Sequence, residues 1–414
     1  MIFLYNLALS IYHGSLHLAA LFHPKARQWV QGRKNWEASL TKAFVKTDKI
    51  IWVHCASLGE FEQGRPLIKN IKTQYPSFKI LLTFYSPSGY ELRKNEPLAD
   101  HVAYLPTDSK ANAKKFLEIV QPQFAIFVKY EFWYHYLSHL QKKETPVFFV
   151  SAVFRKDQIF FKPYGGLFRQ ILHGFNHIFV QNSSSANWLK KLDIQHFSVS
   201  GDNRVDQVHQ LFSQAKSFPI IASFSKNAKV FIAGSTWPND EAILIPVIEQ
   251  MAKDNWKFII APHEIKASKI QNFQNQLSLP SICYSEVKTK KITDASVMII
   301  DNIGMLSTLY QYGHIAYIGG GFGVGIHNIL EPIVFGLPVI FGKNYHKFTE
   351  AVHLVEKQGA FTIKNSADLA SIIKRLSNVE FYKQASQEAQ NYITQNKGAT
   401  KQVMKYIGQK IEAS

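Results

Sequence analysis

The chain has 414 residues, 46% of them hydrophobic, and carries 47 lysines and arginines against 30 acids, a net charge of +17 at pH 7. This length accommodates two ordinary domains, and the apolar content excludes a disordered chain. Cys55 and Cys283 stand without a CxxC pattern or histidine company, which argues against a disulfide framework and a zinc site and fits a reducing compartment.

The charge calls for an acidic partner. Basic residues are scattered, with no Lys/Arg block and no nucleic-acid motif, so an anionic membrane or substrate is expected rather than nucleic acid.

The first segment, MIFLYNLALSIYHGSLHLAALF, has no charged side chain before Lys25. As a helix it would be about 33 Å long, against a bilayer core of about 30 Å. It lacks the basic start of a signal peptide, and Lys25, Arg27, Arg33 and Lys34 would keep the following chain cytoplasmic. Asn6, Ser10, His13 and His17 share one helical stripe, which fits a span with a packing face or a helix lying in the interface. Residues 1–24 are expected to associate with a membrane.

From Lys49 short apolar runs alternate with longer amphipathic stretches: KIIWVHC, KILLTFY, HVAYLP, FAIFVKY, VFFVSA and HIFVQN. These read as strands of a parallel sheet covered by helices. A second series runs through KVFIAGSTW, KFIIAPH, SVMIID, HIAYIGGG and PVIFG. Between them, residues 206–229 contain no clear strand. Two Rossmann-like domains facing a cleft are predicted, over 25–205 and 230–414, with 206–229 as the connection and the last helix free to pack back on the first domain. Ligands of such sheets bind beyond the carboxyl ends of the strands, so the loops after these runs carry the candidate sites.

Glu60 follows the first strand through Ala56-Ser57-Leu58-Gly59. A carboxylate there suits a general base, or a helix start that favours negative charge. In VKYEFWY, Lys129 and Glu131 close a strand and could pair with each other or meet substrate. Arg204, in SGDNRVDQV, offers a fork of donors for a carboxylate or phosphate, or a solvated surface charge. The segment YIGGGFGVGIHNILEPIVFGLPVIFG carries glycines 319, 320, 321, 323 and 325 after a strand, with a helix expected near His327 and Asn328. Such a loop suits phosphate, and Glu331, at i+4 from His327, suits ribose hydroxyls. Neither a Walker motif nor G-x-G-x-x-G fits its spacing. AGSTWPNDE, APHE and DNIGML are further strand-end loops of the second series.

Together WVHCASLGEFEQGRPLI, FYSPSGYE, KYEFW, SGDNRVD, AGSTW, DNIGML and GGGFGVGIHNILEP resemble the family of 3-deoxy-D-manno-octulosonic acid (Kdo) transferases, over nearly the whole chain. The resemblance implies a GT-B glycosyltransferase that moves Kdo from CMP-Kdo to the lipid A precursor, lipid IV(A), in lipopolysaccharide inner-core synthesis. It implies inversion, no metal and no cofactor, and a site on the cytoplasmic side of the cell inner membrane. On the matching positions it implies Glu60 as proton acceptor and Glu131 and Arg204 as transition-state stabilisers, with lysine commoner in the family at the last. It implies CMP contacts at Pro262, His263, Ile303, Gly304, Met305, Asn328, Ile329, Leu330 and Glu331. Two positions depart from the family pattern: Pro262-His263 stands for Pro-Arg, and Gly304-Met305 for Gly-Glu. The alternatives are another nucleotide-sugar enzyme of this fold, such as a UDP-sugar transferase or 2-epimerase, and an idle membrane protein that binds acidic glycolipids.

Overall fold

The computed structural model describes residues 1–287, 292 and 294–412. The chain divides into two units, one of residues 1–206 and 398–414 and one of residues 207–397.

The first unit is built on seven strands: β1 (Lys49–Cys55), β2 (Phe78–Phe84), β3 (His101–Tyr104), β4 (Phe124–Val128), β5 (Val147–Ala152), β6 (His177–Val180) and β7 (Phe197–Val199). All pair in parallel, in the order β3-β2-β1-β4-β5-β6-β7. The second unit repeats the plan with β8 (Lys229–Thr236), β9 (Trp256–Pro262), β10 (Ser281–Cys283), β11 (Val297–Ile299), β12 (Ile315–Ile318), β13 (Val339–Gly342) and β14 (Ala360–Ile363). Its order is β10-β11-β9-β8-β12-β13-β14, again parallel.

Helices cover both faces, so the central strands are buried on both sides and read as continuous apolar runs. β1 buries every residue after Lys49, and β4 and β5 bury all of theirs. In each sheet the chain starts at the centre, fills one flank, then crosses to the other. The reversal falls between β1 and β4 in the first unit and between β8 and β12 in the second. At such a point the loops diverge to opposite faces and leave a crevice at the strand ends.

Residues 206–229, expected as a plain connection, hold the end of the Asn203–Ser213 helix and all of the Pro219–Phe224 helix. The Ala399–Glu412 helix belongs to the first unit, where Val403, Met404 and Ile407 join the core under β1, β4 and β5. Its start is capped from the outgoing chain: Asp206 accepts from the backbone N–H of Gly398 and of Thr400, each at 2.6 Å.

The N-terminal helix is Ile2–Ala19, about 27 Å long at 1.5 Å per residue, shorter than the sequence suggests. Among the described residues no helix is long and apolar enough to cross a membrane, which corrects the spanning alternative. Part of the polar stripe docks instead, through Asn6 and His13, with Tyr5 beside them, while Ser10 and His17 stay exposed. Asn6 Oδ1 lies 2.7 Å from His135 Nε2, the Tyr5 hydroxyl donates to Asp108 at 2.5 Å, and the His13 ring lies 5.5 Å from Trp29. Phe3, Leu4, Leu7, Ile11 and Leu18 remain exposed.

Candidate active site

At the reversal of the first sheet, β1 ends at Cys55 and the Leu58–Gln74 helix begins three residues later, after Ser57. Glu60 lies in the first turn of this helix, half-buried, and the Ser57 hydroxyl donates to its Oε2. The carboxylate therefore stands at a helix start and at the strand-end crevice at once; the two roles open in the sequence coincide in space.

β4 ends at Val128, and Lys129 follows with φ 74°, in the left-handed region that side-chain-bearing residues rarely adopt. Its N–H still donates to Val150 O at 2.9 Å, so the chain reverses immediately after the last sheet bond. The reversal turns Glu131 inward. Its Oε2 accepts from Trp133 Nε1 at 2.6 Å and lies 3.1 Å from Nε2 of the fully buried His54.

The network continues inward. Trp52 Nε1 donates to the Thr83 hydroxyl at 2.8 Å, and that hydroxyl lies 2.8 Å from His54 Nδ1 and 3.5 Å from Val53 O. Trp133 Nε1 also reaches His54 Nε2 at 3.0 Å. The pairing of Lys129 with Glu131 weighed from sequence is replaced by one to His54 and Trp133.

Arg204 is held by its near neighbour Asp202, with Nε and Nη2 donating to Oδ2 at 2.9 and 2.6 Å and the backbone N–H donating to Oδ1 at 2.9 Å. Burial would raise Asp202, but Arg204 and then Lys129 hold it below the usual carboxylate range. Asp202 is thus the orienting partner that the sequence reading left unassigned. Arg155 donates to the Tyr130 hydroxyl at 2.8 Å. Burial raises that phenol, with Arg155 opposing and the charge of Glu60 adding to the rise. Glu60, Lys129, Tyr130, Arg155, Asp202 and Arg204 therefore share one electrostatic neighbourhood.

In the second unit a cavity of about 310 Å³ opens at the β8/β12 reversal, lined by Ser235, Gly304, Ser307, His327, Asn328 and Glu331 among others. Three of the nine residues carried over from the family meet there: Gly304, Asn328 and Glu331. Asn328 Nδ2 donates to Glu331 Oε1 at 3.2 Å, and its Oδ1 accepts from Leu330 N at 3.1 Å. Ile329 and Leu330 are fully buried, so only their main chain can serve a ligand. Met305 is also buried, while Ile303 is 91% exposed.

The helix expected near His327 and Asn328 is a short Leu330–Ile333 turn, which corrects the helical i+4 relation of His327 and Glu331. The glycines instead serve close approach: a Cβ on Gly321 would lie 2.6 Å from Gly342 N, and Gly320 has φ 90°. Asp240 fixes this loop, accepting from Gly320 N at 2.9 Å, Trp237 N at 2.9 Å and the Tyr317 hydroxyl at 2.7 Å.

Pro262 closes β9, and His263 is sandwiched between Trp237 and His327, with ring centroids 4.4 and 4.5 Å away. Burial, and next His263, hold His327 below the ordinary imidazole range. Ser235, Ser307 and Trp237 were given no role from the sequence; small and hydroxyl residues at strand ends were the only signal for the first two.

Residues 31–207, which include Glu60, Glu131 and Arg204, match the family described as "3-Deoxy-D-manno-octulosonic-acid transferase (kdotransferase)". The 3-deoxy-D-manno-octulosonic acid transferase of Aquifex aeolicus is 28% identical over 339 residues, 80% of this chain and 86% of that one. The protein of the same name from Rickettsia prowazekii is 25% identical over 383 residues, covering 90% of this chain and 82% of its own. Over most of its length the chain is similar to the Kdo transferases, and the family model covers its residues 31–207.

Its two parallel seven-stranded units have the GT-B fold. The fold is shared with UDP-GlcNAc 2-epimerase from Neisseria meningitidis, at TM-score 0.63 and 16% identity over 87% of this chain and 100% of that one. In parallel sheets of this kind ligands bind beyond the strand ends, where both sites described above lie.

Proposed function

We propose that the protein transfers Kdo from CMP-Kdo to the lipid A precursor, with inversion, at the cytoplasmic face of the inner membrane. The observation that carries the reading is Glu60, a carboxylate held by Ser57 at the end of β1 in one neighbourhood with Lys129, Arg155 and Arg204.

The acceptor is a sugar hydroxyl, a poor nucleophile at neutral pH. Glu60 takes its proton as the oxygen attacks the anomeric carbon from the face opposite the nucleotide. The bond from that carbon to the phosphate oxygen breaks, and CMP leaves with the electron pair. General-base help of this kind contributes about 10²–10⁴-fold. Glu131 and Arg204 stabilise the charge that develops at the sugar, and their buried partners His54 and Asp202 hold them in place without reorganisation.

Asn328 and Glu331 bind the ribose of CMP, Gly304 and the main chain of Ile303, Met305, Ile329 and Leu330 approach the nucleotide, and Pro262 and His263 border it. No metal or other cofactor takes part in this scheme. The exposed apolar side chains of the N-terminal helix and the net charge of +17 support work at an anionic membrane surface.

Mass spectrometry of the product formed from lipid A precursor and CMP-Kdo tests the reading directly. A product heavier by one or more Kdo residues is expected. Failure to release CMP, or protection from heat by UDP-sugars and not by CMP, would replace it with another nucleotide-sugar activity or with glycolipid binding alone.

A further inference from the structure

The first unit has a second concave site, away from the strand ends. A groove of about 610 Å³ runs between the Tyr134–Lys142 and Gly166–His173 helices on the outer helical layer. His135, Ser138, His139 and Lys142 recur at i, i+3, i+4 and i+7, so one stripe of a single helix lines one wall. Lys110, His173, Gln141 and Gln170 add to the polar lining, while the buried Leu137 and Ile171 supply an apolar floor.

No carboxylate lines this groove. The nearby Asp108 is taken up by the Tyr5 hydroxyl and by the backbone N–H groups of His135 and Tyr136. Burial, and after it His139 and Lys110, hold His135 below its ordinary range, as a cationic cluster without an anion requires. Two lysines and three imidazoles around an apolar floor describe a receptor for an anionic group that carries hydrocarbon.

The rim shows which one. Ile2, in the first turn of the N-terminal helix, lines the groove, and Tyr5 and Asn6 pin that turn to the same wall. The adjacent Phe3 and Leu4 are 75% and 61% exposed. A headgroup seated in the groove would therefore have its acyl chains beside these side chains. We infer that the groove binds the phosphate headgroup of an anionic glycerophospholipid while the first turns of the N-terminal helix lie in the acyl layer next to it. This rests on the membrane part of the function proposed above, and it adds a defined lipid site distinct from Glu60 and Glu131, which stand at the strand ends.

Sedimentation with sucrose-loaded vesicles at physiological salt tests it, using phosphatidylcholine alone and phosphatidylcholine doped with phosphatidylglycerol. Lys110→Gln/Lys142→Gln is expected to weaken binding to the doped vesicles roughly tenfold or more, at unchanged binding to phosphatidylcholine. Ser138→Phe, which fills the groove without changing charge, should weaken it comparably. Lys401→Gln/Lys405→Gln, on the exposed side of the last helix, removes the same charge and should leave binding within about threefold. Thermal melts confirm that each variant is folded.

Normal binding by Ser138→Phe would mean a diffuse field and no site, which overturns the inference. A raised acceptor KM in detergent with unchanged vesicle binding would assign the groove to the acceptor and overturn it equally. Failure of the unsubstituted protein to bind either vesicle removes the membrane reading itself. Groove variants that bind like the unsubstituted protein remove only the lipid site.

Discussion

Replacing Glu60 by Gln separates the two things this residue does. The side chain keeps its length, and its carbonyl oxygen can still accept from the Ser57 hydroxyl, so the local geometry survives. What disappears is the negative charge in the first turn of the Leu58–Gln74 helix and the ability to take a proton. The charge at a half-exposed helix start is worth about 0.3–1 kcal/mol. In a unit of this size each kcal/mol moves Tm by about 2–4 °C, so the melting temperature should fall by no more than that. Turnover should fall far more, by about 10²–10⁴-fold, because the neighbouring acids are engaged elsewhere, Asp202 by Arg204 and Glu131 by Trp133 and His54. The assay is CMP release at saturating donor, with titration calorimetry of CMP and a thermal melt on the same sample. CMP affinity should hold, since its proposed site belongs to the other unit. Ser57→Ala, which unlocks the carboxylate without removing it, should give a smaller loss of turnover. A folded Glu60→Gln protein that turns over within a few-fold of normal would show that Glu60 only starts a helix, and the proposed chemistry would fail with it.

Glu331→Ala should weaken CMP binding about 10–100-fold in calorimetry and leave the fold intact, because its carboxylate lines the second-unit cavity, where Asn328 Nδ2 donates to it. Asp240→Ala strips the acceptor from Gly320 N, Trp237 N and the Tyr317 hydroxyl, and should cost on the order of 3 kcal/mol in urea unfolding of the second unit. A loss below about 1 kcal/mol would mean that water replaces the carboxylate there. His177 is held down from 6.5 to about 4, first by burial and then by His196, so the unfolded chain binds more protons than the folded one between those values. Its contribution to stability is therefore present above pH 6.5 and is lost as pH falls toward 4. The stability of the unsubstituted protein minus that of His177→Gln should rise with pH across this window, while Asp108, raised to about 6 by burial and acting in the opposite sense, cancels in the difference.

Most of the fold was legible because parallel strands covered on both faces must be apolar almost throughout. KIIWVHC is β1 residue for residue, and VFFVSA is β5. The strands that escaped notice, β7, β10 and β14, are three or four residues long and sit at or near sheet edges, where Ser198, Val199 and Thr362 are not buried and the run is too short to register. The end of the glycine segment was misjudged for a related reason. Ile329 and Leu330 are apolar because they are core, and the IHNIL stretch around Asn328 imitates a helix start although only Leu330–Ile333 is helical.

The candidate acids of the first unit were legible one by one, whereas their partners were not, and the difference has a physical origin. Glu60 and Glu131 stand out as acids at the ends of apolar runs, a position that burial alone would forbid. The groups that make such a position tolerable look ordinary in a sequence: His54 within a strand, Thr83 in another, Asp202 two residues from the arginine it grips. Each becomes meaningful only when sheet pairing sets His54 opposite Thr83 and the Lys129 reversal swings Glu131 onto His54. A buried carboxylate costs several kcal/mol unless donors reach it, so these partners are as necessary to the site as the acids themselves. Parallel pairing of distant segments supplies them, and one chain-local pattern cannot announce a contact between residues 54, 83 and 131.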